Sequence, residues 1–193
     1  MPRPRKPREI EVVDLFCGIG GLSYGLKTSG FRILAGYDLD GTCEYAYEHN
    51  NNASFQYRDI KSVTSSEIKS LYSKDSIKVL AGCAPCQPFS SYSHSKKEKD
   101  PNKYDLLYEF GRLVKEVKPD IVTMENVTQI VNFKEKPVLQ DFINTLTSTG
   151  YEVSVNKVFC PDYGVPQTRK RLVLLASRLG SITLIPPTHT KEN

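Results

Sequence analysis

Apolar and polar positions along this chain follow two alternating periods. Short apolar runs of strand length occur at Glu11–Phe16, Arg32–Tyr37, Ser54–Tyr57, Ile77–Ala81, Asp120–Met124, Glu152–Phe159 and Arg171–Ala176. Between most of them the apolar residues fall three or four apart, which predicts helices over Leu22–Thr28, Gly41–Asn50, Ser65 or Ser66 to Leu71, Tyr104–Val117 and Val138–Leu146. The punctuation agrees. Gly30 and Gly150 follow helix ends, Pro119 stops the fourth helix, and Ser65 or Ser66 can cap the third. Strands separated by helices predict an α/β fold with a doubly wound, mostly parallel seven-stranded sheet. Ligands of such sheets sit at the carboxyl ends of the strands. The residues there are a glycine turn, Asp38, Asp59, Cys86 and Glu125.

Composition narrows the class without naming a chemistry. A chain of 193 residues, 39% hydrophobic and 25% charged, is expected to fold as one domain with a proper core. No apolar run approaches the ~18 residues of a membrane span, and the N-terminus has no apolar signal core, so the expected location is the cytoplasm. Five cysteines in a chain of this size predict reduced thiols rather than a disulfide scaffold. The net charge of +4 is local: Arg3, Arg5, Lys6 and Arg8 account for it, leaving 22 basic against 22 acidic residues. The first ten residues therefore read as a basic, flexible tail, and the remainder would bind a polyanion weakly unless its charges segregate onto one face.

The chemistry concentrates in a few stretches. In Phe16-Cys17-Gly18-Ile19-Gly20-Gly21 the glycines permit a tight turn and close approach of a ligand, but Ser23 stands where a dinucleotide loop needs glycine. Asp38 and Asp59 end the second and third strands. They can accept hydrogen bonds from ribose hydroxyls and an adenine amino group, with Leu39 packing on the base. The competing reading of each Asp is a helix cap, which is preferred for Asp40. Together these residues suggest an adenosine cofactor without phosphates.

Val79–Ser90 (VLAGCAPCQPFS) is a strand that breaks at Gly82 into a stiff loop with Cys83 and Cys86. On the residues alone Cys86 can be a nucleophile, a redox partner of Cys83, a metal ligand or an ordinary thiol. Zinc is poorly served, because only the separated Cys160 and His94 could complete a site. Glu125, in Met124-Glu125-Asn126-Val127, closes a buried strand, where burial would raise its pKa and suit it to proton donation. Alternatively it pairs with Arg169. Arg169 and Arg171, two apart in Gly164–Arg171, fall on one side and suit a phosphate, a carbonyl oxygen or that glutamate.

In order, these segments resemble the motifs of the DNA cytosine-5 methyltransferase family. DLFCGIGG resembles its S-adenosylmethionine loop, AGYDLD and YRDI its ribose and adenine segments, and GCAPCQPFS its Pro-Cys-Gln loop. MENV resembles its Glu-Asn-Val motif and GVPQTRKR its Gln-x-Arg-x-Arg motif. The resemblance runs from about residue 11 to 190 and implies the Rossmann-like methyltransferase fold. It implies Cys86 as nucleophile, Glu125 as the group engaging the base at N3, and Arg169 and Arg171 holding the base and site. It implies a cofactor pocket lined by Phe16, Gly18, Gly20, Gly21, Asp38, Leu39, Asp59, Ile60 and Leu106, with no metal. Cys83 becomes a packing residue, and Gln87 and Ser90 lie near the DNA backbone or the loop's own turn. Thiolate addition to carbon 6 makes carbon 5 enamine-like, and the stacked base must first be flipped out at a cost of about a few kcal/mol. The lysine-rich Ser91–Lys103 is a candidate loop for closing over the flipped base.

Full-length members continue with a target-recognition domain and two further motifs that find no match here. The expected organisation is a tail over 1–10, a catalytic and cofactor-binding domain over 11–185, and from Pro186 to Asn193 the start of a linker. The chain reads as a split-enzyme subunit, a truncated gene product or an excerpt, expected to need a second polypeptide and double-stranded DNA, as in a bacterial restriction-modification system. A tRNA-methylating relative is the alternative, although that branch usually shows Asn where Gln167 stands. A catalytically idle cofactor- or DNA-binding module is the other, and it has no need for both Cys86 and Glu125.

Overall fold

The computed structural model describes residues 7–85, 105–132 and 137–189. The basic residues Arg3, Arg5 and Lys6, the nucleophile candidate Cys86 and the lysine-rich stretch 91–103 lie outside the described residues. Seven strands form one sheet: β1 (Ile10–Leu15), β2 (Arg32–Asp38), β3 (Ser54–Tyr57), β4 (Ile77–Gly82), β5 (Ile121–Val127), β6 (Glu152–Phe159) and β7 (Lys170–Ser177). Between them run α1 (Gly21–Thr28), α2 (Glu44–Asn51), α3 (Ser65–Leu71), α4 (Asp105–Val117) and α5 (Val138–Ser148). The order across the sheet is β3-β2-β1-β4-β5-β7-β6. The first five strands pair in parallel, and β7 runs antiparallel to both neighbours. The expected doubly wound, mostly parallel sheet is therefore the observed one.

Alternation along the strands builds two cores. Val13, Leu15, Leu80, Val122, Met124, Leu172 and Leu174 pack with Phe110, Leu113 and Val114 of α4 and with Phe142 and Leu146 of α5. The opposite face packs Val12, Ile33, Val79 and Ala81 against Cys43 and Tyr47 near and within α2. In β5, buried Val122, Met124 and Asn126 alternate with partly exposed Ile121, Thr123, Glu125 and Val127. In β7, Leu172 and Leu174 are buried, while Arg171, Val173 and Leu175 are partly exposed. The β5–β7 half of the sheet is thus sealed on the α4–α5 side and partly open on the other.

Several boundaries differ from expectation, each for a local reason. Thr64, not Ser65 or Ser66, caps α3, accepting the Glu67 N–H at 3.2 Å. The second helix opens as a 3₁₀ turn over Gly41–Cys43, which Asp40 caps through the Thr42 N–H as preferred. Phe16 leaves β1 with φ +58°. Asp120 precedes β5, and its carboxylate accepts the Lys78 N–H at 2.8 Å. Glu125 lies within β5 rather than closing it, because pairing with β7 carries the ladder on to Val127.

Candidate active site

Order reverses on either side of β1 and β4, and the loops after these two strands flank the crevice where open parallel sheets bind ligands. The loop after β1 is the glycine turn. Gly18 and Gly20 take φ of +50° and +89°, a region that penalises any Cβ, and a Cβ on Gly20 would meet Asn51 and Tyr47 of α2. The turn is tied across the crevice by its backbone. Gly18 N–H donates to Asp38 Oδ2 at 2.8 Å, Cys17 N–H to the Tyr37 carbonyl at 3.1 Å, and Gly20 N–H to the Cys17 carbonyl at 2.9 Å.

That wiring bears on the cofactor. Gly18 and Gly20 N–H groups are already engaged, so they are not free to cradle a phosphate. Asp38 accepts Gly18 N–H on one oxygen and Asp40 N–H on the other, at 2.9 Å, and a carboxylate retains further lone pairs. Ile19 and Leu39 stand 66% and 63% exposed beside it, apolar surface available to a planar base. Asp59 serves here as a cap, accepting the Lys61 N–H at 2.9 Å. Ile60 behind it is buried, and Leu106 of α4 packs on the core's edge. These residues fit an adenosine-type ligand lacking a pyrophosphate.

A buried polar cluster lies beneath the glycine turn. Ser23 Oγ donates to Asp14 Oδ2 at 2.7 Å and lies 3.0 Å from the Tyr47 hydroxyl. Asn51 Nδ2 donates to the Tyr47 carbonyl at 2.9 Å. Burial, with the Asp38 charge adding to it against the Ser23 hydrogen bonds, pushes the Asp14 carboxyl up to about 7. Burial first, then the Asp14 and Asp38 charges, drive the Cys17 thiol upward, which makes it a poor nucleophile near neutral pH. The sequence marks Ser23 only as a departure from a dinucleotide loop and singles out none of Asp14, Tyr47 or Asn51. The available signal was a carboxylate interrupting the apolar run of β1.

At the carboxyl end of β5, Arg171 Nε lies 2.6 Å from Glu125 Oε1. Register makes the pair: Val127 opposes Arg171 and Glu125 opposes Val173, so both side chains share one face. The expected partner, Arg169, is corrected to Arg171. Arg169 is exposed in the turn before β7 and forms no ion pair among the described residues. Asn126, pointing to the other face and 1% exposed, donates from Nδ2 to the Ala84 carbonyl at 3.3 Å. Its Oδ1 accepts the Val127 N–H at 2.8 Å. Sequence reasoning had given this asparagine no role. Cys83 N–H donates to the Leu15 carbonyl at 3.2 Å, fixing the loop to the end of β1. Among the described residues no group of three His, Cys, Asp or Glu is placed to hold a metal ion, and no helix is long and apolar enough to cross a membrane.

Comparison with known proteins follows the same outline. The family model for C-5 cytosine-specific DNA methylases matches residues 10–193. The type II methylase M.HgiDII of Herpetosiphon aurantiacus is 50% identical over 182 residues, 94% of this chain and 51% of that protein. M.HindV of Haemophilus influenzae, a type II methyltransferase, is 33% identical over 95% of this chain and 58% of its own length. The Entamoeba histolytica methyltransferase EhMeth superposes with a TM-score of 0.72 at 24% identity, over 95% of this chain and 58% of that structure, a likeness of fold. The chain thus spans about half the length of the curated relatives it matches. It belongs to the C-5 cytosine-specific DNA methylase family.

Proposed function

We propose that this chain is the catalytic and cofactor-binding part of a DNA cytosine-5 methyltransferase of the restriction-modification type. The observation that carries the reading is the Glu125–Arg171 pair at the same rim as the glycine turn locked to Asp38. Domain 11–185 would do the chemistry, with 1–10 a tail and 186–193 leading to a target-recognition part. The family's description as C-5 cytosine-specific DNA methylases supports DNA as substrate, and a cytoplasmic setting belongs to the same proposal.

S-adenosylmethionine is the cofactor of this reading, and when bound it supplies an electrophilic methyl group. Asp38 and Asp59 would accept its ribose and adenine donors, Leu39 and Ile60 would flank the base, and Phe16, Gly18, Gly20, Gly21 and Leu106 would shape the rest. On a flipped-out cytosine, the Cys86 thiolate adds to carbon 6, and the electron pair moves through the ring toward N3. Glu125 would deliver a proton to N3 through the oxygen not held by Arg171, neutralising the charge that develops there. Arg169, exposed in the turn before β7, would contact the base or its phosphate. Once the enamine's carbon 5 has taken the methyl group, loss of the carbon 5 proton expels the Cys86 thiolate and restores the ring. The partly open face of β5 and β7 fits the view that further chain, in this polypeptide or a second one, completes the enzyme.

The test is covalent trapping on duplex DNA containing 5-fluorocytosine, with S-adenosylmethionine and the remaining half of the enzyme supplied. An adduct that disappears in Cys86→Ser, and methyl transfer that collapses in Glu125→Gln, support the proposal. Absence of an adduct with the completed enzyme overturns it in favour of a module without catalysis. Methyl acceptance by tRNA in preference to DNA would reassign the substrate.

A further inference from the structure

The strand ends that carry Glu125 and Arg171 on one face carry a second feature on the other. Lys157, Val158, Phe159 and Lys170, with Thr128 and Gln129 after β5, line a groove of about 400 Å³. Register places them: Phe159 opposes Lys170 and Lys157 opposes Leu172 across β6 and β7. Alternation puts Lys157, Phe159, Lys170 and Leu172 on the face opposite Arg171. Leu172 is fully buried in the core beside α5, so the two lysines and Phe159 continue that face beyond the core to the rim.

The groove's chemistry is one-sided. Its lining offers two ammonium groups, a hydroxyl and a carboxamide, and no carboxylate. Lys170 Nζ stands 5.8 Å from the centre of the Phe159 ring. Neither lysine forms an ion pair among the described residues. Between residues 157 and 171 the bases Lys157, Arg169, Lys170 and Arg171 outnumber the single acid Asp162, and of the four only Arg171 is matched among the described residues, by Glu125 of β5, in a chain that is neutral once its tail is set aside. The segregated charge that a polyanion requires is therefore present at this rim. Lysine ammoniums are hydrated point charges, suited to phosphate rather than to base edges.

We propose that this groove receives the phosphodiester backbone of the DNA strand, with Lys157 and Lys170 neutralising phosphates while the reacting base is engaged on the Glu125–Arg171 face. This rests on the DNA reading above and adds to it a contact surface that tracks the backbone without reading sequence.

Fluorescence anisotropy of the 193-residue chain with labelled duplex DNA, between about 50 and about 200 mM salt, tests it. Lys157→Ala and Lys170→Ala should each weaken binding several-fold whatever the base sequence. Each should flatten the dependence of log affinity on log salt by about one, and the double variant by about two. Lys69→Ala, on exposed α3, should change neither quantity. An unchanged slope in the double variant overturns the proposal, as does absence of wild-type binding at the lowest salt. Inorganic phosphate displacing DNA far more strongly than chloride at equal ionic strength, and losing that advantage in the double variant, would reassign the groove to small phosphates. Calorimetry with S-adenosylmethionine on the same preparations reads the broader function separately. Wild-type chain that binds DNA but, with the remaining half of the enzyme supplied, no S-adenosylmethionine sinks the methyltransferase reading alone, and variants that bind it normally are folded.

Discussion

Asn126 Nδ2 donates to the Ala84 carbonyl across 3.3 Å, so the strand that carries Glu125 also holds the chain two residues ahead of Cys86. Neighbouring residues of β5 thus serve opposite faces: Glu125 pairs with Arg171 on the open side, while Asn126 holds the chain at Ala84 from within. Position of the loop and position of the carboxylate are set by one rigid element.

Asn126→Ala deletes that clamp together with the Val127 N–H contact. It should cost about 1–3 kcal/mol of stability. Adduct formation on 5-fluorocytosine DNA should slow by about tenfold or more, with S-adenosylmethionine affinity preserved. Stopped adduct assays beside calorimetry separate the two effects.

Arg171→Lys keeps the charge but loses the planar Nε–H that meets Glu125. Displacing a reacting carboxylate by about 1 Å can cost about 10²-fold, and methyl transfer should fall on that order while cofactor affinity holds. Arg169→Lys, at an exposed residue without an ion pair among the described residues, should cost less in the same single-turnover measurement.

Gly20→Ala places a Cβ at φ +89° within 2.2 Å of Asn51 Nδ2 and 2.8 Å of the Tyr47 ring. Left-handed strain and overpacking together should destabilise the fold by about 2–4 kcal/mol and abolish cofactor binding. Gly21→Ala, with nothing within 4 Å and no positive φ, should be stable. Urea midpoints of the two variants provide the comparison.

Asp14 gives stability a pH dependence of definite sign. In the fold it keeps its proton up to about 7, whereas the unfolded chain releases it near 3.8. Between those values the folded state binds more protons, so stability falls as pH rises from about 4 to about 7 and stays low above it. Glu11 acts in a different window. Burial works against its charge, but hydrogen bonds from Ser73 and Ser76 and the Arg32 guanidinium outweigh it and lower its pKa. Its contribution is present above 4.5 and lost as pH falls through the lowered value. Asp14→Asn should flatten the Asp14 interval and raise stability at about pH 8 by on the order of a few kcal/mol. Denaturant midpoints across pH check the sign.

The architecture was legible because each strand carries its period and each crossover its punctuation, and the rim residues followed from topology alone. What escaped were features set by pairing between distant segments. Glu125 looked like a strand terminus because nothing in Met124-Glu125-Asn126-Val127 shows that β7 will extend the ladder to Val127. Arg169 looked like the partner of Glu125, and only the register with Val127 selects Arg171. Asn126 and Asp14 stood inside quoted motifs, but their partners, Ala84 and Ser23, are fixed by how the loops fold back. Thr64 lost to its serine neighbours because caps are decided by backbone angles a residue or two either way.

The reversed direction of β7 bears on how the rim can vary. A parallel strand furnishes its rim only with what comes after it, and every such loop is bound to a crossover helix. An inverted strand furnishes what comes before it. The connection from Phe159 to Lys170 therefore meets the rim at both flanks and is bound to no helix crossover. Arg171, on the proposed base side, and Lys157 and Lys170, on the proposed backbone side, sit on one hairpin. Its tip can be lengthened, shortened or recharged while the parallel scaffold and the glycine turn keep their form.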